Sequence, residues 1–522
     1  MPPSAQKIKS SSLPIIPKSD MASLPSITGG NLDNPKIAAL LDKIMDKDEL
    51  KALHQIQKDS TDRNVRFKTN EHYTAIITGK GYKSKNGEVL VPPMPPSKPV
   101  RKMIAPRIAA FKDMTGEADP SDQLSYSPKI EGLHGGVLHK YDETVLILAA
   151  PGCAGMCAHC YRNDFIDGAS LTGKFVAKAE ALKNYIIAHN KMVADNNGVD
   201  PENGRERHPI REALLSGGDP LTLSNRRIFE YLDAVGTAGV EIARIGTREL
   251  AFMPERVDNA FVEMLKIVHK RHPDMRINFV VHFSHPDEFL LRDDNGNYIK
   301  NDSGAGFKWM SENARAVNAL RSLQFVTLQN QTPMINGVND DPEALHILHQ
   351  ELNRMSVKPK YVFQNRTIQG YRAFSLPMEE AWWIHKKAME GLSDDGRSRM
   401  AMSTKRGKLE IVSVTGLENQ TTRPNGSQNS NGMVVLKKHR VPNTKELGGV
   451  IIMNSNPNAL WLDDYSDEDI LHDTMVSEED NTPEAKKIAL DAEKTLKDVL
   501  VAKKEVKDAN HHSDGGNVSN CG

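Results

Sequence analysis

The middle of the chain alternates short apolar runs with longer stretches in which apolar residues recur at three- and four-residue intervals. The short runs read as buried strands: 144–150 (TVLILAA), 212–216 (EALLS), 240–246 (VEIARIG), 276–283 (RINFVVHF), 323–328 (LQFVTL) and 359–364 (PKYVFQ). Helical spacing follows each, over 174–188, 225–236, about 259–269, 311–320, 342–354 and 377–390. Six strand–helix units predict an α/β protein whose parallel sheet curves into a partial or full barrel, with the loops after the strands on one functional rim. An open doubly wound sheet is the alternative.

Outside this core the pattern changes. Residues 1–33 are rich in Ser, Pro, Lys and Gly and read as a disordered tail. Helical spacing over 34–57 predicts one or two surface helices, and 58–89 is mixed. The Pro-rich 90–99 (LVPPMPPSKP) is a connection, with a further helix around 100–115. Residues 34–124 thus form an accessory helical region and 125–410 the core, in which polar 291–307 is an inserted loop. Residues 411–470 form a small strand-rich closing region, its strands at 409–414, 433–438 and 450–453 around a flexible excursion at 416–431. Residues 471–522 hold a charged helix over 483–509 and a loose tail.

A formal charge of -1 over 522 residues gives no field that would draw nucleic acid or an anionic membrane. No apolar run approaches the roughly 18 residues of a membrane span, so a soluble protein is expected. The chemistry concentrates in 151–162 (PGCAGMCAHCYR), where Cys153, Cys157 and Cys160 stand in C-x3-C-x2-C spacing and only Cys521 lies elsewhere. That is no disulfide framework. A structural zinc site wants a fourth ligand, and His159, adjacent to Cys160, fits one tetrahedron poorly. Three thiolates on a tight loop suit three irons of a cubane cluster and leave the fourth open. A reducing compartment, the cytoplasm, is the expected location.

This loop resembles that of the radical S-adenosylmethionine (radical SAM) enzymes, and residues 125–455 are similar to the lysine 2,3-aminomutase family. LLSGGDPL (214–221), VEIARIGTR (240–248), VHFSHPDE (281–288) and NQTPMINGVND (330–340) carry the likeness in order. The resemblance implies a partial (β/α)6 barrel of the radical SAM type with an N-terminal helical layer and a C-terminal extension. It implies a [4Fe-4S] cluster on Cys153, Cys157 and Cys160, and S-adenosyl-L-methionine met by Ser216, Gly217, Gly218, Asp219 and Gln331. It further implies pyridoxal 5'-phosphate as a Schiff base on Lys408 beside Tyr141, Arg162 on the substrate α-carboxylate, and a reductant such as flavodoxin or ferredoxin. The implied reaction moves an amino group from C2 to C3 of an α-amino acid through radical intermediates.

The sequence departs from the family at several positions. Gly407 alone remains of the glycine run before the lysine. Thr144 stands where the family has an arginine near the cofactor phosphate, with Lys140 offering charge nearby. Arg366 and Ala401 occupy the positions of two aspartates that hold the distal ammonium of lysine; a cation there would repel that group. A distal carboxylate suits Arg366, so the expected substrate is a non-lysine amino acid, glutamate first. The family's zinc cysteines are missing, Asp341 standing at one, so zinc is not expected and a homo-oligomer stays open. The rival readings are a radical SAM enzyme without pyridoxal phosphate, a lysine 2,3-aminomutase, and a noncatalytic iron–sulfur protein.

Overall fold

The structure is a computed structural model that describes residues 14–18, 27–59, 65–117, 119, 122–162, 176–415, 432–442 and 446–474. Strand β1 (Ile27–Asn31) pairs antiparallel with β2 (Arg66–Asn70), so the end of the stretch read as a tail is paired backbone. Between them lie helices Pro35–Ile44 and Lys47–Asp59, where the apolar spacing placed them. The helix Glu71–Thr78 escaped the pattern: it buries five residues, His72, Tyr73, Ala75, Ile76 and Ile77, and so shows no polar face to mark its period. After the hairpin of β3 (Tyr82–Lys83) and β4 (Val89–Val91), the helix expected around 100–115 is two pieces, Lys98–Ile104 and Ile108–Lys112. Pro106 explains the break, because it lacks an amide proton and restricts the residue before it.

The remaining strands form one sheet of 12 in chain order. They are β5 (Val137–Tyr141), β6 (Thr144–Ala150), β7 (Glu212–Gly217), β8 (Ile242–Thr247), β9 (Arg276–Val281) and β10 (Val326–Pro333), then β11 (Val357–Phe363), β12 (Arg399–Thr404), β13 (Gly407–Val414), β14 (Met433–Arg440), β15 (Val450–Asn454) and β16 (Ile470–Asp473). Strands β6 to β12 run parallel, with β5 antiparallel at one edge and β13 to β16 antiparallel at the other. The six expected strands are all present. A seventh parallel strand, β12 (RMAMST), was hidden by its polar ends. Strand β10 also runs further than 323–328 and carries Gln331 within the ladder instead of beyond it.

The strands between 409 and 453 extend this same sheet. The segments 416–431 and 483–509 lie outside the described residues. Six helices, Ala179–Asp195, Asn225–Thr237, Asn259–Arg271, Ser311–Arg321, Pro342–Arg354 and Met378–Ala388, alternate with the parallel strands and bury apolar faces in a core with Ile147, Leu215, Ile245 and Phe279. Ser224, Asp258 and Asp341 cap three of them by accepting backbone amides. The fold is therefore α/β, with a mixed sheet and helical layers. Side chains from β5 through β14 line one cavity, so the sheet curls around it while its two edge strands stay unpaired with each other.

Buried histidines set an acid limit. Ser398 Oγ lies 2.8 Å from His349 Nε2 and 3.0 Å from His385 Nε2. Burial pushes His349 and His139 down to about 4 and His385 down to about 3. Near pH 5 the unfolded chain, with histidine pKa about 6.5, takes up protons that the native state does not, so stability falls as pH drops from about 6.5 toward 4. The expected loss at pH 5 is on the order of 2 kcal/mol per histidine. Denaturation midpoints at pH 7 and 5 read it, and a flat profile contradicts it.

Candidate functional site

Strand β6 delivers the chain into the cysteine loop, and three segments hold that loop. Ala154 N donates to Glu249 Oε1 (2.9 Å), Met156 N to the Lys68 carbonyl (2.9 Å) and Ala158 N to the Met103 carbonyl (2.8 Å). Two of these three anchors belong to the N-terminal layer. The glycine turn after β7 abuts the loop from the other side: Gly218 N donates to Ala150 O (2.7 Å) and Asp219 N to Gly152 O (2.8 Å). A Cβ at Gly217, which has φ +107, would stand 2.5 Å from Ala150 O, and one at Gly218 would overlap the Gly152 backbone. The paired glycines thus let two loops touch, and the amides of Gly218 and Asp219 are engaged in that contact. The Asp219 carboxylate also accepts from Leu221 N (3.0 Å), Thr247 Oγ1 (2.8 Å) and Arg248 N (2.6 Å).

Cys153, Cys157 and Cys160 line the cavity wall, and none of them is disulfide-bonded. Burial pushes the Cys153 thiol up, and the Cys157 thiol up to about 12 against the pull of Arg248. Among the described residues no group of three or more His, Cys, Asp or Glu side chains is placed to hold a metal ion. Behind the loop, buried Arg248 donates to Glu288 Oε1 (2.7 Å), which also accepts from Tyr73 Oη (2.9 Å). Glu249 and Asp219 are both buried; burial and then the charge of Asp219 raise the Glu249 carboxyl pKa.

Two guanidiniums meet across one ring beyond the cysteines. Arg162 and Arg366 place Cζ 4.8 and 4.2 Å from the Tyr161 ring centroid. Arg162 Nη1 donates to Ser216 Oγ and to the Gly217 carbonyl, which fixes its direction. Its Nε and Arg366 Nη1 are buried without a hydrogen-bond partner, as is Gln331 Nε2 on the same cavity. Burial lowers the Arg366 pKa, and the nearby charge of Arg162 lowers it further.

Lys408 and Tyr141 stand on the same cavity. The Lys408 Nζ is 5.0 Å from the Tyr361 ring centroid and 5.4 Å from that of Phe363. Burial, then the charges of Arg440, Arg244 and Lys360, hold its pKa well below that of an ordinary lysine. Gly407, at φ +120, is needed because a Cβ there would overlap the Arg440 carbonyl oxygen. Lys140 is anchored to the Thr404 carbonyl (2.7 Å) and lies over the Tyr126 ring. The guanidinium that reaches Thr144 is instead that of Arg440, which donates to Thr144 Oγ1 (2.5 Å) and pairs with Glu143.

The structure therefore brings every sequence-proposed site residue to one cavity, from the cysteines at one end to Lys408 at the other. Sequence reasoning missed Tyr161, Arg244, Phe363 and Arg440. Arg244 had a signal, an arginine in the middle of an apolar strand; Arg440 lies in a polar stretch far from any motif and had none.

An α/β sheet curled around a cavity that joins a cysteine loop, paired arginines and a buried lysine defines the class of site. The comparisons place the chain near one group of such proteins. No family model matches it. It is 27% identical over 405 residues to an Aquifex aeolicus protein provisionally named an L-lysine 2,3-aminomutase, covering 77% of this chain and 88% of that protein. It is 28% identical to the glutamate 2,3-aminomutase of Clostridioides difficile, over 54% of this chain and 55% of that protein. It is also 28% identical to the L-lysine 2,3-aminomutase of Clostridium subterminale, over 56% and 58%. A solved structure, the apo form of the E. coli 3-keto-D-glucoside 4-epimerase YcjR, aligns at 12% identity and a TM-score of 0.20, covering 44% of this chain and 80% of that one. The chain is homologous to members of the lysine and glutamate 2,3-aminomutase family, which supports an enzymatic role of that broad class. Among the described residues no helix is long and apolar enough to cross a membrane.

Proposed function

We propose that the protein is a radical SAM, pyridoxal phosphate-dependent 2,3-aminomutase acting on an acidic α-amino acid, with glutamate the first candidate. The observation that carries this reading is the pair of buried guanidiniums, Arg162 and Arg366, on one Tyr161 ring in the cavity that also holds the three cysteines and Lys408. Two cations beside one aromatic ring match an amino acid with a carboxylate at each end. The donor chemistry fits the cofactors. Three thiols on one wall suit a cubane, which takes one thiolate per iron and needs no convergence on a single ion. Gln331 Nε2, buried without a partner, is a donor available to S-adenosylmethionine. The Lys408 amine, beside two aromatic rings and with its pKa held low, suits a pyridoxal ring.

When bound, these groups supply a carbon radical for hydrogen removal and a π-system for the migrating nitrogen. The chain's own residues do the rest. Arg162, steered by Ser216 Oγ, orients the α-carboxylate; Arg366 takes the distal carboxylate and so fixes which carbon faces the cysteine end. Lys408, its pKa lowered by burial and neighbouring cations, offers the amine for covalent attachment. The curled sheet and the N-terminal layer keep competing hydrogen donors away. Three protein thiolates leave the fourth iron for a cosubstrate, as the loop's spacing requires.

The test is direct. Wild-type protein incubated with pyridoxal phosphate and reduced with borohydride is expected to carry the adduct on Lys408, and Lys408→Ala to carry none there. Anaerobically reconstituted protein is expected to form 5'-deoxyadenosine and the β-isomer of glutamate. Formation of 5'-deoxyadenosine without any Lys408 adduct favours a radical SAM enzyme that dispenses with pyridoxal phosphate. Turnover of lysine at or above that of glutamate overturns the substrate assignment.

A further inference from the structure

Lys408 and Arg440 are direct cross-strand partners on β13 and β14, and both side chains line the cavity. Like charges placed directly opposite one another destabilise a sheet. More cationic charge gathers around them. Arg244 is 7% exposed, lies on the same wall and has a buried Nε without a hydrogen-bond partner. Burial and then Arg244 bring Lys360 down to about 8, with Arg440 contributing as well. The carboxylates that pair with these arginines lie to the outside: Glu212 is 28% exposed against 8% for Arg244, and Glu143 is 41% exposed against 24% for Arg440. Arg440 is also held in place, its Cζ lying 4.3 Å from the Tyr141 ring centroid and its Nη2 donating to Thr144 Oγ1. Mutually repelling cations on one face, with their counter-charges outward, are a site for an anion.

We propose that Arg440, with Arg244, forms a seat for a phosphate monoester dianion at the Lys408 end of the cavity, and that the phosphate of pyridoxal phosphate occupies it. The inference rests on reading Lys408 as the cofactor lysine and goes beyond it, because it assigns the anion to a residue of the antiparallel extension. A guanidinium matches two phosphate oxygens at once, and the negative charge of a dianion beside Arg440 and Arg244 offsets the repulsion that these cations exert on each other and on Lys408.

The test compares pyridoxal phosphate with pyridoxal, titrated by visible absorbance into the full-length wild type, Arg440→Gln and Glu143→Gln. The wild type is expected to prefer the phosphorylated compound. Arg440→Gln is expected to lose about ten- to a hundredfold in affinity for pyridoxal phosphate, with pyridoxal affinity changed less than about twofold. Glu143→Gln breaks the same ion pair but leaves the guanidinium, and is expected to keep or raise the preference. A purely structural Arg440 would make the two variants behave alike, and that result overturns the proposal, as does an Arg440→Gln variant that retains the preference. A wild type that binds both compounds equally overturns the seat alone; one that binds neither removes the cofactor reading and the seat together.

Discussion

Arg366→Gln is expected to lower kcat/KM for glutamate by about a hundred- to a thousandfold, mostly through KM, without making lysine a better substrate. Arg366 is half-buried, its Nη1 is shielded from solvent without a protein partner, and its Cζ lies 4.2 Å from the Tyr161 ring centroid. A buried charge-assisted pair is worth about 2 to 5 kcal/mol when one partner is truncated, and each 1.4 kcal/mol is about tenfold. Glutamine keeps a hydrogen-bond donor but loses the charge and the second prong. Arg366→Asp should go further and shift preference toward a substrate with a distal ammonium, because a carboxylate at that position attracts the ammonium that the guanidinium repels. Rates of β-isomer formation from glutamate and lysine give the ratio. An unchanged ratio in both variants removes Arg366 from substrate recognition.

The largest loss of stability is expected from Glu288→Ala. Glu288 accepts from Arg248 Nη2 and Tyr73 Oη with one oxygen, and from Ser284 N (2.5 Å) and His285 N (3.1 Å) with the other. Arg248 is 6% exposed and its Nε already lacks a partner, so deletion of the carboxylate strands a guanidinium beneath the cysteine loop. Breaking a buried pair in this way costs about 3 to 5 kcal/mol, whereas replacing both partners with apolar residues is often close to neutral. Denaturant midpoints of Glu288→Ala and of the double variant Arg248→Met/Glu288→Leu measure the difference. A single variant within about 1 kcal/mol of the wild type would mean that solvent reaches the pair.

Local pattern made part of this legible. A run such as TVLILAA is apolar on both faces because its strand is buried on both, and the cysteines declare themselves by spacing within eight residues. What stayed hidden depends on partners distant in sequence. The helix Glu71–Thr78 has no exposed stripe because Tyr73 reaches Glu288 across the molecule. The close backbone approach that requires glycine at 217 and 218, to Ala150 and to Gly152, has no sign in the local sequence. Lys408 could be proposed from its surroundings in sequence, but its cross-strand neighbour Arg440 lies beyond a long connection whose register no local signal sets. Pairing between distant strands is decided by the assembled core, so its chemical results become readable only in three dimensions.

The strand that bears Lys408 and the strand that leads into the cysteine loop belong to one uninterrupted ladder. The two ends of the cavity are tied by rungs of backbone, and their separation works as a fixed gauge. A molecule engaged at both ends is measured against that gauge.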